Sequence, residues 1–361
     1  MLVRTLQLRD FRGYRELDLE LGDGLTVLLG DNGQGKTNLL EAIGFVGGLG
    51  SFRGAPDEAM VRSGTDVAII RCDLEAPDGR EVLVECEIAR SGRNRVKVNR
   101  QKLARTRDLV GVLPVTVFSP DDLELVKGTP SLRRRWLDEA LVARHRRHDA
   151  LRADLEKILR QRNALLKQAR GRLSGDISTT LEVWDAKLAA VGDELRAQRI
   201  AMLAMLTPLL SRAYDAVAAA PADVQATYSS SWAQQSLLEA LSDVRPDDLR
   251  RGLTTVGPHR DEVVLTLAGT PARTHASQGE QRSLALALRL ATDAAVRESG
   301  VGRPVVLLDD VFSELDPTRA SALLQVLPET QRMLTSAAGL PADARPDRVL
   351  HVVNGTVREA P

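Results

Sequence analysis

Gly30-Asp31-Asn32-Gly33-Gln34-Gly35-Lys36-Thr37 fits the pattern G-x-x-x-x-G-K-[ST], and its flanks supply the context that pattern needs. The apolar run Leu25–Leu29 before it has the character of a strand covered on both faces. Leu39, Leu40, Ala42 and Ile43 after it open an apolar-periodic helix. Glycines let the backbone wrap so that several N–H groups face phosphate oxygens, helped by the positive end of the helix. The pattern assigns Lys36 to the β- and γ-phosphates of a nucleotide and the Thr37 hydroxyl to Mg²⁺.

An acidic partner for this loop lies roughly 270 residues downstream. Val305-Val306-Leu307-Leu308 is a buried-strand pattern that ends in Asp309-Asp310, and the carboxyl end of such a strand faces the phosphate crevice. Asp309 suits Mg²⁺, directly or through water, and Asp310 is placed to polarise an attacking water as a general base. Between the two lies Ser277-Gln278-Gly279, ahead of an amphipathic helix with Leu284, Leu286, Leu288 and Leu290. Ser277 is either the cap of that helix or, with Gln278 and Gly279, a phosphate-binding arrangement at its N-terminus.

The chain between these motifs divides by period. Up to about residue 90 short strands alternate with turns, including Leu17, Leu19 and Leu21 and a hairpin from Val67–Asp73 to Glu81–Ala89 across Pro77-Asp78-Gly79. Val96, Val98 and the Asn99-Arg100 turn read as a second, basic hairpin. From about Ser131 the period becomes helical, with Leu151, Leu155, Ile158 and Leu165 on one face. After a Gly171–Gly175 break, Leu181, Trp184, Leu188, Val191, Leu195, Gln198, Met202, Met205 and Leu209 recur in steps of three and four, an a/d seam that spans roughly 43 Å. Two long helices joined by a short turn are expected to form an antiparallel hairpin. Residues 221–250 read as loops and one short helix, and strands are expected at 262–267, 305–309, 331–335 and 348–353. The expected division is 1–125 and 251–361 as two halves of one α/β lobe, with 126–250 inserted as a helical domain.

The 361 residues balance 49 Lys+Arg against 49 Asp+Glu, but the zero net charge is a cancellation. Residues 90–107 hold eight cations and no acid, and residues 131–172 hold thirteen cations against five acids. Arg93, Arg95, Lys97, Arg100 and Lys102 in the first segment and Arg133, Arg134 and Arg135 in the second are the expected phosphate-backbone contacts to nucleic acid. With 3% aromatic residues there is little to stack bases, which disfavours a stacking-based single-strand reader. Cys72 and Cys86 suit neither a disulfide framework nor a zinc cluster, so a reducing cytoplasm is expected. Met1-Leu2-Val3-Arg4 begins a strand-like alternation rather than a signal peptide, and no unbroken apolar run approaches the roughly 18 residues of a membrane span.

Taken together the motifs resemble the head of ABC-type ATPases, and further stretches narrow the resemblance to the RecF family of bacterial recombination mediators. These are Leu8-Arg-Asp-Phe-Arg-Gly-Tyr14, Phe118-Ser-Pro-Asp-Asp122, Arg133-Arg-Arg-Trp-Leu-Asp138, Gly257-Pro-His-Arg260 and Leu308-Asp-Asp-Val-Phe-Ser-Glu-Leu-Asp316. The resemblance implies an α/β P-loop ATPase head built from N- and C-terminal segments, with a short antiparallel coiled coil inserted. It implies ATP and Mg²⁺ as ligands, Arg12 at the nucleotide, Ser277 acting in trans on the γ-phosphate, and Asp316 in a loop at a dimer seam. It also implies DNA as partner, an ATP-dependent homodimer, cooperation with RecO and RecR in loading recombinase, support of the SOS response, and no membrane. Other SMC-like DNA clamps and transporter ATP-binding subunits remain as alternatives, although the hairpin is short for the first. Neither a histidine after Leu334-Thr335-Ser336 nor a glutamine in the Phe118–Asp122 loop is present, and Asp310 stands where many relatives carry Glu. The shorter carboxylate and the missing histidine favour slow hydrolysis.

Overall fold

The computed structural model describes residues 1–48, 50–172, 175–218, 220–300, 302–337, 339–341 and 343–359. The chain forms two compact units, Met1–Asp122 with Ala213–Pro221 and Leu286–Pro361, and Leu123–Arg212 with Ala222–Ala285.

The first unit is built on a six-stranded sheet in the order Thr356–Glu359, Arg348–Val353, Leu25–Leu29, Arg332–Ser336, Val305–Asp309, Val115–Phe118. Every neighbouring pair is parallel except the edge hairpin of the first two strands. Alternate residues of the central strands feed two different cores. Val305, Leu307, Met333 and Leu28 join Leu39, Leu40 and Ile43 of the helix Lys36–Gly48. Val306, Leu308, Leu334 and Val27 join Leu286, Leu290 and Leu323 on the opposite face. Because both faces are covered, these strands have almost no solvent side on which a polar residue could alternate, which is why they read as near-continuous apolar runs. A second, antiparallel sheet follows the order Tyr14–Glu20, Leu2–Phe11, Val67–Glu75, Glu81–Ala89, Arg95–Val98, Gln101–Lys102, and its Leu6, Leu8, Ile70 and Val84 close the first core. The hairpins expected from alternation are therefore present, and Cys72 and Cys86 are buried free thiols within them.

The second unit holds the helices Pro130–Arg144, Arg147–Ala169 and most of Gly175–Ala218, a 44-residue helix roughly 66 Å long. Leu166 and Ala169 cluster with Leu181, Arg162 pairs with Asp185, and Asp138 pairs with Arg199, so partner numbers run in opposite senses, as an antiparallel hairpin requires. Arg170 and Gly171, at φ 48° and 77°, end the first arm; Leu173 and Ser174 of the expected break lie outside the described residues. That arm is two helices rather than one, interrupted at His145, which takes an extended conformation.

The seam of the long helix differs in phase from the apolar reading. The buried positions are Leu181, Asp185, Leu188, Gly192, Leu195, Arg199, Met202 and Leu206, whereas Trp184, Val191, Gln198 and Met205 are only half-buried. One seam position thus carries Asp185 and Arg199, neutralised by Arg162 and Asp138, and Gly192, where a Cβ would lie 2.3 Å from Leu237 Cδ2. Paired charges can occupy a buried stripe, and a hydrophobicity count misses them. By length and composition alone this helix is also apolar enough to cross a membrane, although its two ion-paired seam residues face protein.

Residues 221–250 contain an unexpected strand, Val224–Ser229, besides the helices Leu237–Asp243 and Arg245–Arg251. Its alternation of buried and exposed residues is short, and its partner, Glu262–Leu267, is more than 30 residues away. That pairing draws residues 251–285 into the helical unit, so the boundary expected at 251 falls instead at Ala285.

Candidate nucleotide site and basic surface

The phosphate loop follows the strand Leu25–Leu29 and runs into the helix beginning at Lys36. Gly30 is pressed against the sheet: a Cβ there would lie 2.3 Å from the Val352 carbonyl oxygen, so only glycine fits. Gly33 and Gly35, at φ 82° and 108°, supply the left-handed turns of the loop, while Asp31, Asn32 and Gly33 are exposed. Lys36 is buried with its ammonium inside the loop, donating to the carbonyls of Gly30 at 2.6 Å and Asp31 at 2.8 Å. Burial lowers its pKa, against the opposing pull of Asp310, Asp309 and Asp31.

Thr37, Asp309, Asp310 and Thr335 form one hydrogen-bonded group. The Thr37 hydroxyl donates to Asp309 Oδ1 at 2.7 Å and the Thr335 hydroxyl donates to the same oxygen at 2.9 Å. Thr335 Oγ1 also accepts the Asp310 N–H at 2.9 Å, and this fixes the turn in which Asp310 sits at φ 49°. Burial pushes the Asp309 carboxyl above its ordinary range, while the hydrogen bonds from Thr37 and Thr335 and the charge of Arg53 draw it back. Asp310 Oδ1 is buried without a hydrogen-bond partner. A hydroxyl, a carboxylate and an unpartnered carboxylate oxygen beside a lysine are a hard oxygen set suited to Mg²⁺ and polyphosphate. Thr335 completes this group, and its only sequence signal was its place at the end of a buried strand.

Other motif residues fall differently. Arg12, expected at the nucleotide, is held by Glu41, with Nε and Nη2 each 2.7 Å from its carboxylate, and Nη1 donates to the Ala59 carbonyl. Glu41 is fully buried and also accepts from Ser51, so Arg12 is the counter-ion of a buried acid on the loop helix. Ser277 and Gln278 are exposed and lie in the second unit; the Ser277 hydroxyl accepts Glu280 N–H at 3.3 Å and its own N–H donates to Glu280 at 2.7 Å. Ser277 is thus the cap of the helix Gln278–Glu298, and an exposed one. Asp316 caps the helix Pro317–Val326 by accepting Arg319 N–H at 3.0 Å, and that bond is the main reason its pKa is lowered. In the Phe118–Asp122 segment, Asp122 is buried, accepts the Ser119 N–H and binds Arg289 at 2.9 and 2.7 Å.

The expected cationic residues separate into three kinds. Arg133 is buried, bound bidentately to Glu262 and to the carbonyls of Leu125, Val126 and Gly128, and Arg134 donates to the Asp261 carbonyl at 2.6 Å. Both are structural groups and not surface contacts; Arg135 alone of the three is exposed. On the basic hairpin, Arg95 pairs with Glu87 and Lys97 stands opposite Glu85 in register, acids that a count confined to 90–107 leaves out. Arg93, Arg100, Lys102 and Arg105 are exposed, and none appears in an ion pair among the described residues. Lys102 faces Lys97 across the turn, and a cleft of about 750 Å³ opens beside Arg93, Lys102 and Arg105. Like charges directly across a strand pair oppose folding, which makes an anionic ligand the natural counterpart of this rim.

Residues 2–336 match the RecF/RecN/SMC N terminal domain family. The chain is 44% identical to the DNA replication and repair protein RecF of Kineococcus radiotolerans over 98% of both chains. It is 45% identical to the protein of that name from Frankia alni, over 94% of this chain and 93% of the other. A solved structure of the recombination mediator protein RecF-ATP in the RecFOR pathway superposes with a TM-score of 0.92 at 29% identity, covering 100% of this chain and 98% of that one.

Proposed function

Because this chain belongs to the RecF family of SMC-like ATPase heads, we propose that it is an ATP-switched protein of DNA replication and repair. The observation that supports this most directly is the convergence of Lys36, Thr37, Asp309 and Asp310 on one glycine loop. Lys36 leaves the loop carbonyls for the β- and γ-phosphates of ATP, and Thr37 with Asp309 would hold Mg²⁺, which neutralises phosphate charge when bound. Asp310 then orients the attacking water and accepts its proton at Oδ1. Its turn is fixed by Thr335, so it does this without rearranging. Hydrolysis is slow, below about 1 s⁻¹. Asp310 is a short carboxylate, and no histidine at the strand end assists it.

The exposed Ser277, with Gln278 and Gly279, serves the γ-phosphate of a second copy, and Asp316 lies at the seam of that pair. ATP therefore selects a twofold homodimer. The dimer binds DNA at single-stranded, gapped or junction sites through Arg93, Arg100, Lys102 and Arg105, with Arg135 as a further contact. There it cooperates with RecO and RecR in loading recombinase and supports the SOS response, in the cytoplasm and without membrane attachment.

The test is sedimentation of the Asp310→Asn protein with MgATP and with MgADP, alongside single-turnover hydrolysis. A stable ATP-dependent dimer and a loss of hydrolysis of about 10²-fold or more are expected. A monomer with bound ATP removes the dimer from the account, and wild-type hydrolysis at or above about 1 s⁻¹ removes the slow switch.

A further inference from the structure

We infer that the C-terminal hairpin turn Asn354-Gly355 is a positioning element that holds the tip of the phosphate loop in its binding shape. The inference rests on the nucleotide reading of that loop. The Asn354 N–H donates to Gln34 Oε1 at 2.7 Å, and the Gly355 N–H donates to the Gln34 carbonyl at 3.3 Å. Side chain and main chain of one loop residue are thus tied to two successive amides of a turn 320 residues away in sequence.

That turn is built to be stiff. Asn354 and Gly355 join the strands Arg348–Val353 and Thr356–Glu359 at φ 48° and 72°, the two successive positive values of a tight hairpin connection. A Cβ on Gly355 would lie 3.2 Å from the Gly13 carbonyl oxygen, so the turn lies close against the first hairpin of the chain. From that first hairpin the buried Tyr14 donates its hydroxyl to the Gly35 carbonyl at 3.1 Å. The same C-terminal strand supplies the Val352 carbonyl that packs on Gly30.

The loop is therefore gripped at Gly30, Gln34 and Gly35, twice by the last hairpin and once by the first. A phosphate cradle works through backbone N–H groups held in a fixed arrangement, and ordering it in advance removes that cost from nucleotide binding. Coupling of this kind is reciprocal, so a bound nucleotide must in turn steady the Asn354-Gly355 turn.

Gln34→Met keeps the side-chain length and removes the acceptor. Its MgATP dissociation constant should rise by up to about tenfold, the size of one lost hydrogen bond, while the nucleotide-free protein keeps a cooperative unfolding transition. In the unaltered protein MgATP should slow hydrogen exchange at Asn354 and Gly355. At Asn354 that protection should vanish in Gln34→Met and return in Gln34→Glu, whose carboxylate accepts the same N–H. Unchanged affinity in Gln34→Met, or exchange at the turn that ignores MgATP in the unaltered protein, overturns the inference. If Lys36→Ala binds MgATP as well as the unaltered protein, the nucleotide reading itself fails, and the inference falls with it.

Discussion

Arg133, Arg134 and Arg135 are neighbours in sequence and meet three different fates: a buried bidentate pair, a half-buried donor to a carbonyl, and an exposed cation. Successive helical residues point about 100° apart, so one of three adjacent arginines can be a core group while another is free. His259 makes the same point. It follows Gly257-Pro258 in a motif that names no role, and its Nε2 lies 3.1 Å from the Thr254 carbonyl while Nδ1 is buried without a partner. Burial, only partly opposed by the Thr254 hydrogen bond, lowers its pKa to about 4. The unfolded chain takes up a proton near the ordinary imidazole value of about 6.5, whereas the folded protein resists protonation until about 4. His259 thus contributes nothing against folding above pH 6.5 and progressively destabilises as pH falls through that window, by ~3 kcal/mol at its foot. Denaturant unfolding from pH 7 to 4 should show a steeper loss in the unaltered protein than in His259→Gln. Parallel curves would mean that the imidazole is not desolvated.

At the scale of elements, periodicity announced the long helix and misplaced its inward face by one residue at every second seam position. Trp184 and Val191 are the more hydrophobic choices, yet Asp185 and Gly192 are the buried ones. Arg162 lies between Asp185 at 2.6 Å and Asp248 at 2.7 Å, all three almost wholly buried, and it joins the two arms of the hairpin to the helix Arg245–Arg251. Replacing it by Met leaves Asp248 buried without a counter-ion and Asp185 with Arg245 alone, and should cost about 3–5 kcal/mol in urea unfolding. Trp184→Ala, at a half-buried position, should cost less than half as much. The reverse order of the two would restore the apolar seam. The strand Val224–Ser229 was missed for a related reason: six residues of alternation carry little signal until their distant partner is known.

At the scale of the whole molecule, segregated charge points to a nucleic-acid partner, but folding neutralises much of that charge internally, through Glu262 at Arg133 and Glu87 at Arg95. The exposed rim at Arg93, Arg100, Lys102 and Arg105 remains. Changing these four to Gln should flatten the dependence of log K on log salt for duplex binding by about 0.9 for each DNA phosphate that is no longer neutralised. Arg135→Gln tests the second segment in the same titration, and a slope untouched by either change would place the DNA elsewhere. By itself the sequence determined the phosphate loop, its acidic strand and the α/β lobe, because each is written in a contiguous run whose spacing is dictated by backbone geometry. Tertiary structure alone decided which charges are spent inside, the phase of the long helix, the joining of Thr335 to the two aspartates, and the bracing of Gln34 by Asn354 and Gly355. Those depend on which distant groups arrive within hydrogen-bond distance, and for the paired charges, the helix seam and Thr335 burial turns such a meeting from a negligible surface contact into a decisive one.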